Sequence, residues 1–245
     1  NRVDDSDGMS GGCYHRACEL FAKASLAANK PVNAATCFDR LAQQNDYGVR
    51  DKLIDLAAKI LSNEALQERL ITWHDTLKAM PVKEGHDYQY LSHKVQLQQL
   101  AQAAGNVELF ATLAMEGATP NERPQCALDV ATLYLDLGQA KRALDWMPSQ
   151  ANRHWRHQST ELRIRIYTAL GDHDKVQGLQ LQQFKYSPSA ISAKRWLENF
   201  PEEEQDLRRA ELLSLLNQGE YNWQTKARLY IDWQNYATAA EIIEC

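Results

Sequence analysis

Apolar side chains recur along most of this chain at intervals of three and four residues, which is the spacing of one face of an α-helix. We expect each such stripe to be the buried side of an amphipathic helix. The stripes are Ala17, Leu20, Phe21 and Ala24; Leu53, Leu56, Ala57, Ile60 and Leu61; Leu66, Leu70, Trp73 and Leu77; Leu97, Leu100, Ala101 and Ala104; and Ala127, Val130, Ala131, Tyr134 and Leu135. No stretch of strand length alternates with period two, so the pattern predicts an all-α fold of about fourteen helices.

Capping residues and glycines mark where several of these helices begin and end. The predicted starts are the capping box Thr119-Pro120-Asn121-Glu122, the Ser187-Pro188 pair, Asn63 and Asp172. The predicted ends are Gly105, Gly138, Gly171 and Gly219. The stripe that begins at Leu53 predicts one continuous helix over 49–61.

Three of these glycines also suggest an internal repeat. Gly105, Gly138 and Gly171 are 33 residues apart, close to the tetratricopeptide period of about 34 residues. Small, aromatic and bulky positions share this register: Ala131, Tyr134, Gly138, Ala143 and Met147; Tyr167, Gly171 and Val176; and Ala227, Tyr230, Gln234, Ala239 and Ile243, with Gln in place of Gly. The register predicts a right-handed α-solenoid of tetratricopeptide-like repeats. A compact helical domain with equally spaced glycines is the alternative.

The turn-rich interval 81–87 suggests a division of the chain. We expect an N-terminal helical segment over 1–80, a linker over 81–87 and the repeat array over 88–245. The stretch 185–220 departs from the 33-residue period, so the repeats in the array are degenerate. Because the chain begins at Asn1 and not at Met, we expect further sequence upstream.

Composition and charge narrow the class of partner. With 11 glycines and 7 prolines in 245 residues, the chain is poor in turn formers, which disfavours a β-sandwich or barrel. The net charge of -5 disfavours non-specific nucleic-acid binding, and no apolar run approaches the ~18 residues that cross a bilayer. The odd set of cysteines (Cys13, Cys18, Cys37, Cys126 and Cys245) predicts reduced, mostly buried thiols in a cytoplasmic protein.

One stretch departs locally from the acidic balance. Residues 152–167 combine four arginines with two histidines and a tryptophan against a single glutamate, Glu161. Arginine beside aromatic rings suits phosphate, single-stranded nucleic acid or an acidic peptide, and the basic segment around Lys194 extends the pattern. The candidate binding residues are Arg153, His154, Trp155, Arg156, His157, Arg163, Lys194 and Arg195. A solvated helix face, with Trp155 packed between repeats, is the alternative.

Other candidate chemistry is weak. An EF-hand aligned on Gly8 places Val3 and Tyr14 at ligand positions, and Cys13 and Cys18 lack a second ligand pair. His154 and His157 have a spacing that can share a metal, but no third ligand is apparent. The acidic run after Pro201 complements the start of a helix. No nucleotide-binding or hydrolase motif occurs, so we expect no cofactor, no metal and no catalytic residues.

Two short motifs resemble a known family. They are the start Asp4, Asp5, Ser6, Asp7 and Gly8, and the turn Asn45, Asp46, Tyr47 and Gly48 followed by Asp51. Together with the helix around Ala17-Cys18, they resemble bacterial proteins that carry a domain of unknown function followed by tetratricopeptide-like helices. The resemblance implies a bacterial, cytoplasmic helical protein and supplies no catalytic residue. Whether the motif carboxylates converge on one cation or ligand site is left open.

The sequence therefore predicts a non-catalytic protein–protein interaction scaffold with a protein or peptide partner. The alternative is a binder of nucleic acid or of a phosphorylated or acidic ligand through the basic-aromatic face 153–165. An enzyme with an unrecognised site is a third hypothesis, which a deep pocket of clustered carboxylates or histidines would favour.

Overall fold

The computed structural model describes residues 9–43, 51–81, 88–148 and 155–244. Within these ranges the chain forms fifteen α-helices and no strand, which confirms the predicted all-α class. The chain divides into two compact units, Asn1–Leu133 and Tyr134–Cys245. Of the predicted linker 81–87 only Pro81 is described, and the predicted division at that interval stays a prediction.

The first unit holds seven helices in its described residues, and an eighth begins in it. They are α1 Met9–Ala27, α2 Val32–Gln43, α3 Asp51–Asp55, α4 Ala57–Ile60, α5 Asn63–Ala79, α6 Tyr88–Ala103, α7 Val107–Met115 and α8 Arg123–Asp136. Helices α3 and α4 contact α1, α2 and α6, and α5 contacts both α4 and α6. Leu53, Ile54, Ala57 and Ile60 are almost fully buried, so the short helices α3 and α4 lie within the core.

The second unit holds seven further helices. They are α9 Ala140–Asp145, α10 Arg156–Leu170, α11 His173–Tyr186, α12 Ala190–Leu197, α13 Glu202–Gln218, α14 Trp223–Asp232 and α15 Tyr236–Glu244. Neighbours along the chain pack on each other from α9 to α13, and α14 packs on α15. One apolar cluster joins α11 to α15, through Phe184, Ala193, Trp196, Leu197, Leu212, Leu216, Leu229, Tyr230 and Ala239. This cluster fixes the positions of α11 and α12.

The same turn geometry ends four helices. Gly105, Gly138 and Gly171 have φ of 67°, 73° and 72°, and Gln234 has φ of 60°. At each turn, this residue donates its N–H to the carbonyl three residues back, and the next residue donates to the carbonyl five residues back, at 2.8 to 3.1 Å. These are the hydrogen bonds of a Schellman motif. The predicted helix ends at these positions are confirmed, and Gln234 adopts the conformation that glycine adopts in the other three turns.

We expect Gly171→Ala to destabilise the fold and Gln234→Gly to stabilise it, each by about 1 kcal/mol. The left-handed conformation costs an L-residue roughly 1–2 kcal/mol, and the unfolded-chain entropy of glycine offsets about half of that. Steric conflict adds nothing at Gly171, because no atom lies within 4 Å of the Cβ that alanine would add. Urea unfolding of both variants tests this expectation, and changes of the same sign would contradict it.

Two predicted boundaries differ from the structure. The N-cap of α12 is Ser189 and not Ser187, because Ser189 and Ser192 form a reciprocal capping box. The N-cap of α5 is Ser62, whose hydroxyl accepts the Ala65 N–H at 3.2 Å, and not Asn63. The predicted helix end at Gly219 is confirmed, since Gly219 is the C-cap of α13, in an extended conformation. The Asp172 cap is confirmed.

Two predictions in the first unit were wrong. The predicted helix over 49–61 is interrupted at Leu56, which has φ of -93° and ψ of 4°. Other helices pack on several sides of this segment. We infer that burial of its apolar side chains stabilises the fold more than an uninterrupted helix would. Among the α1 residues whose burial is described, the buried ones are Cys18, Ala22 and Ser25 and not the predicted stripe. Helix α1 packs on α3 and α4, and small side chains allow helices to approach closely. Leu20 of that stripe is 52% exposed.

Candidate functional site

A groove of about 590 Å³ lies between α10, α11 and α12 of the second unit. Its lining combines two arginines, a histidine and a glutamate with amide, hydroxyl, aromatic and aliphatic side chains. The lining residues are Arg156, His157, Thr160, Glu161, Gln182, Gln183, Tyr186, Ser187, Ser189, Ile191, Ser192 and Arg195. The volume lies within the range of about 300–1,000 Å³ that ligand sites occupy.

Each of the three helices lines the groove with residues from one of its faces. Helix α11 contributes Gln182, Gln183 and Tyr186, and α12 contributes Ile191, Ser192 and Arg195, so both sets follow the spacing i, i+1, i+4. The four residues of α10 contain the same spacing. Between α11 and α12 the chain turns sharply at Pro188, and the Ser189 capping box starts α12 at once.

A carboxylate ties two walls of the groove together. Glu161 Oε1 accepts hydrogen bonds from Gln183 Nε2 and from Arg195 Nη1, each at 2.8 Å. The Arg195 side chain is 51% exposed and that of Glu161 is 32% exposed. The pair therefore fixes the Arg195 guanidinium at the groove while leaving much of it accessible to solvent.

Arg156 is held differently, by an aromatic ring. Its guanidinium carbon lies 5.3 Å from the centroid of the Tyr186 ring, within the range of a cation–π contact. Within the described ranges of the chain, no carboxylate pairs with Arg156. Since Glu161 balances Arg195, Arg156 supplies a surplus positive charge at the groove.

The groove brings together three of the predicted binding residues, Arg156, His157 and Arg195. Arg163 instead donates to the Pro148 carbonyl at 2.6 Å. The remaining predicted residues are placed as follows: Lys194 is exposed and lies 3.9 Å from Glu198, Trp155 is half-buried at the start of α10, and Arg153 and His154 lie outside the described residues. The predicted basic-aromatic face is thus divided among several environments.

The family-motif residues are almost all outside the described residues. These are Asp4, Asp5, Asp7, Gly8, Asn45, Asp46, Tyr47 and Gly48. Asp51 is described and lies half-buried in the first turn of α3. Convergence of the motif carboxylates therefore stays a hypothesis.

Sequence reasoning did not single out Tyr186, Gln183 or Ile191 as site residues. Tyr186 is 59% exposed and Ile191 is 69% exposed, on opposite sides of the Ser187-Pro188-Ser189 turn. The signal available in the sequence was an aromatic residue just before a Ser-Pro pair. Its contact with Arg156, thirty positions earlier, depends on how α11 packs against α10.

Other chemistry-bearing groups are dispersed in the described part of the chain. It contains no cluster of three His, Cys, Asp or Glu residues arranged to hold a metal, and none of its helices combines the length and apolarity needed to cross a bilayer. Of the four described cysteines only Cys18 is buried, so the expectation of mostly buried thiols was wrong. Burial, more than the nearby carboxylates Asp129 and Glu122, raises the pKa of the Cys126 thiol, opposite to the shift that a nucleophilic cysteine needs.

Comparison with known proteins yields a family but no close relative. No curated protein and no solved structure matches the chain. The model of a family described as "Family of unknown function (DUF6880)" matches residues 1–245. The match covers the whole chain and agrees with the resemblance to a family of unknown function. The chain therefore belongs to the DUF6880 family.

Proposed function

We propose that this chain is a non-catalytic protein-interaction scaffold of the tetratricopeptide-like class, and that a partner segment binds in the groove between α10, α11 and α12. The observation that carries the proposal is the groove itself. It is open, of peptide-accommodating size, and lined by both charged and apolar side chains, as peptide-binding surfaces are.

The repeated turn supports the tetratricopeptide-like part of the proposal. Gly105, Gly138 and Gly171 end helices with the same Schellman hydrogen bonds at 33-residue intervals, and Gln234 repeats them near the C-terminus. The helix pairs α6–α7, α10–α11 and α14–α15, which flank three of these turns, are packed pairs. We propose that such pairs build a right-handed solenoid. We also propose that the protein acts in the bacterial cytoplasm.

The alternative of nucleic-acid binding through 153–165 has weaker support. Arg163 is engaged with the Pro148 carbonyl, and Arg165 lies 3.0 Å from Asp136. Non-specific nucleic-acid affinity comes from many neutralised phosphates, whereas only two of the arginines and lysines discussed, Arg156 and Arg195, line the groove. A groove with two arginines on a chain of net charge -5 fits a short ligand better.

Photo-crosslinking in the native cell tests the proposed function. A photoreactive amino acid replaces Ile191 in the groove, and in a matched control it replaces Leu207 on α13, which is 63% exposed. We expect Ile191 to yield a discrete protein adduct that is absent with Leu207, because a bound segment lies against the groove. The absence of any adduct specific to Ile191 would contradict the proposal.

A further inference from the structure

We propose, building on the proposed function, that the groove recognises an extended partner segment through one anionic side chain, a phosphorylated or acidic residue, that contacts Arg156 and Arg195. Apolar residues that flank this anion lie against Tyr186 and Ile191. This inference rests on three observations. They are the two arginines, the Glu161 carboxylate that holds Arg195, and the exposed side chains of Tyr186 and Ile191.

Arg156 is the primary anion contact. Its cation–π contact with Tyr186 engages the π face of the ring and uses none of the guanidinium N–H donors. A guanidinium presents five such donors in a planar fork that matches the oxygens of a carboxylate or phosphate. Tyr186 therefore orients Arg156 without competing for the donors that a ligand requires.

Arg195 supplies the second contact, and Glu161 sets its strength. One N–H of Arg195 is bonded to Glu161 Oε1, and in the described part of the chain no other hydrogen bond uses its guanidinium. The negative charge of Glu161 also repels an incoming anion. Glu161 therefore holds Arg195 in position but lowers the affinity of the groove for anions. Removal of that charge should therefore strengthen anion binding, which a purely structural role for the pair does not predict.

A protein segment fits this arrangement better than a nucleic acid does. The exposed side chains of Tyr186 and Ile191 offer apolar contact beside the two arginines, so an anion flanked by apolar residues is complementary to the groove. A nucleic acid would require a longer track of cations, and Arg165 is paired with Asp136 instead of extending the groove.

Fluorescence anisotropy with labelled nonapeptide libraries tests the proposal on the full chain. The central residue is phosphoserine, Asp, Ser or Lys, with Leu fixed on each side and the other positions degenerate. We expect the phosphoserine or Asp library to bind at least ten-fold more tightly than the Ser library, since a charge-assisted bidentate contact is worth about a factor of ten or more. The preferred anionic library identifies phosphate or carboxylate as the recognised group.

Variants separate specific contact from general charge. We expect Arg156→Gln to weaken anionic peptides about ten-fold and Glu161→Gln to strengthen them about three-fold. The double variant Arg195→Gln/Glu161→Gln has the same net charge as the unsubstituted groove but lacks the second fork, so it should bind anionic peptides more weakly than the unsubstituted chain. Arg165→Gln, the same change elsewhere on α10, is the matched control and should have no effect. Circular dichroism and thermal unfolding confirm that each variant is folded.

Three results would overturn the proposal: equal binding of the Ser and anionic libraries, an equal loss in Arg156→Gln and Arg165→Gln, or tighter Arg156-dependent binding of an oligothymidylate probe than of any peptide library. An Ile191 crosslink whose yield is unchanged in Arg156→Gln would overturn this inference while leaving the proposed function intact. The absence, in the unsubstituted chain, of both an Ile191-specific crosslink and any binding of the peptide libraries would overturn both.

Discussion

Replacing Phe184 by alanine should lower the free energy of unfolding by about 3–5 kcal/mol, the usual cost of deleting a buried aromatic ring. Phe184 on α11 is fully buried in the cluster that joins α11 to α15. Its neighbours in that cluster include Trp196 and Leu212, which come from two further helices. A cavity at this point therefore removes contacts from several helices at once, and those helices cannot all collapse into it.

Urea unfolding and hydrogen exchange measure this effect. Exchange should accelerate in peptides from α12 and α13, which share the cluster with Phe184. Lys185→Ala provides the control at the next position, because its side chain is exposed and such surface changes usually stay within about 0.5 kcal/mol. A loss below about 1 kcal/mol in Phe184→Ala would contradict the assigned core.

In the first unit, Asp39→Ala should lower the free energy of unfolding by about 2–3 kcal/mol, because it leaves a half-buried guanidinium without its carboxylate. Arg69 donates from Nε to Asp39 Oδ1 at 2.8 Å and from Nη2 to Asp39 Oδ2 at 2.7 Å. The Arg69 side chain is only 13% exposed. This bidentate pair joins α2 to α5, thirty residues apart.

Glu68→Ala is the matched control for this second prediction. Glu68 also faces Arg69, at 3.5 Å, but its side chain is 76% exposed, and a solvated pair contributes about 0–1 kcal/mol. Chemical denaturation of both variants, with the double variant Asp39→Ala/Arg69→Met, measures the difference. We expect the double variant to recover part of the loss, since it also removes the unpaired charge. Equal effects of Asp39→Ala and Glu68→Ala would contradict the interpretation.

The candidate site was only partly accessible to sequence reasoning. Arg156 and His157 could be predicted because they lie in one stretch of unusual, basic composition. Arg195 could be predicted because it lies in a second basic segment of the sequence. Tyr186 and Gln183 could not be predicted from the sequence, since each lines the groove because of a contact with α10 that joins residues more than twenty positions apart. Arg163 shows the converse case: its charge is conspicuous in the sequence, but a carbonyl of the preceding segment engages it.

Local physics explains which features the sequence alone determined. Helical periodicity established the all-α class, and the spacing of glycines located the left-handed helix ends, because a backbone conformation that disfavours side chains selects glycine directly. Gln234 adopts the same left-handed conformation, although it is not a glycine. Only the tertiary structure decided the interruption at Leu56, the buried side of α1 and the pairing of Glu161 with Arg195. Each of these depends on which surfaces meet after folding, and burial between distant segments outweighs the local preference of the chain at those points.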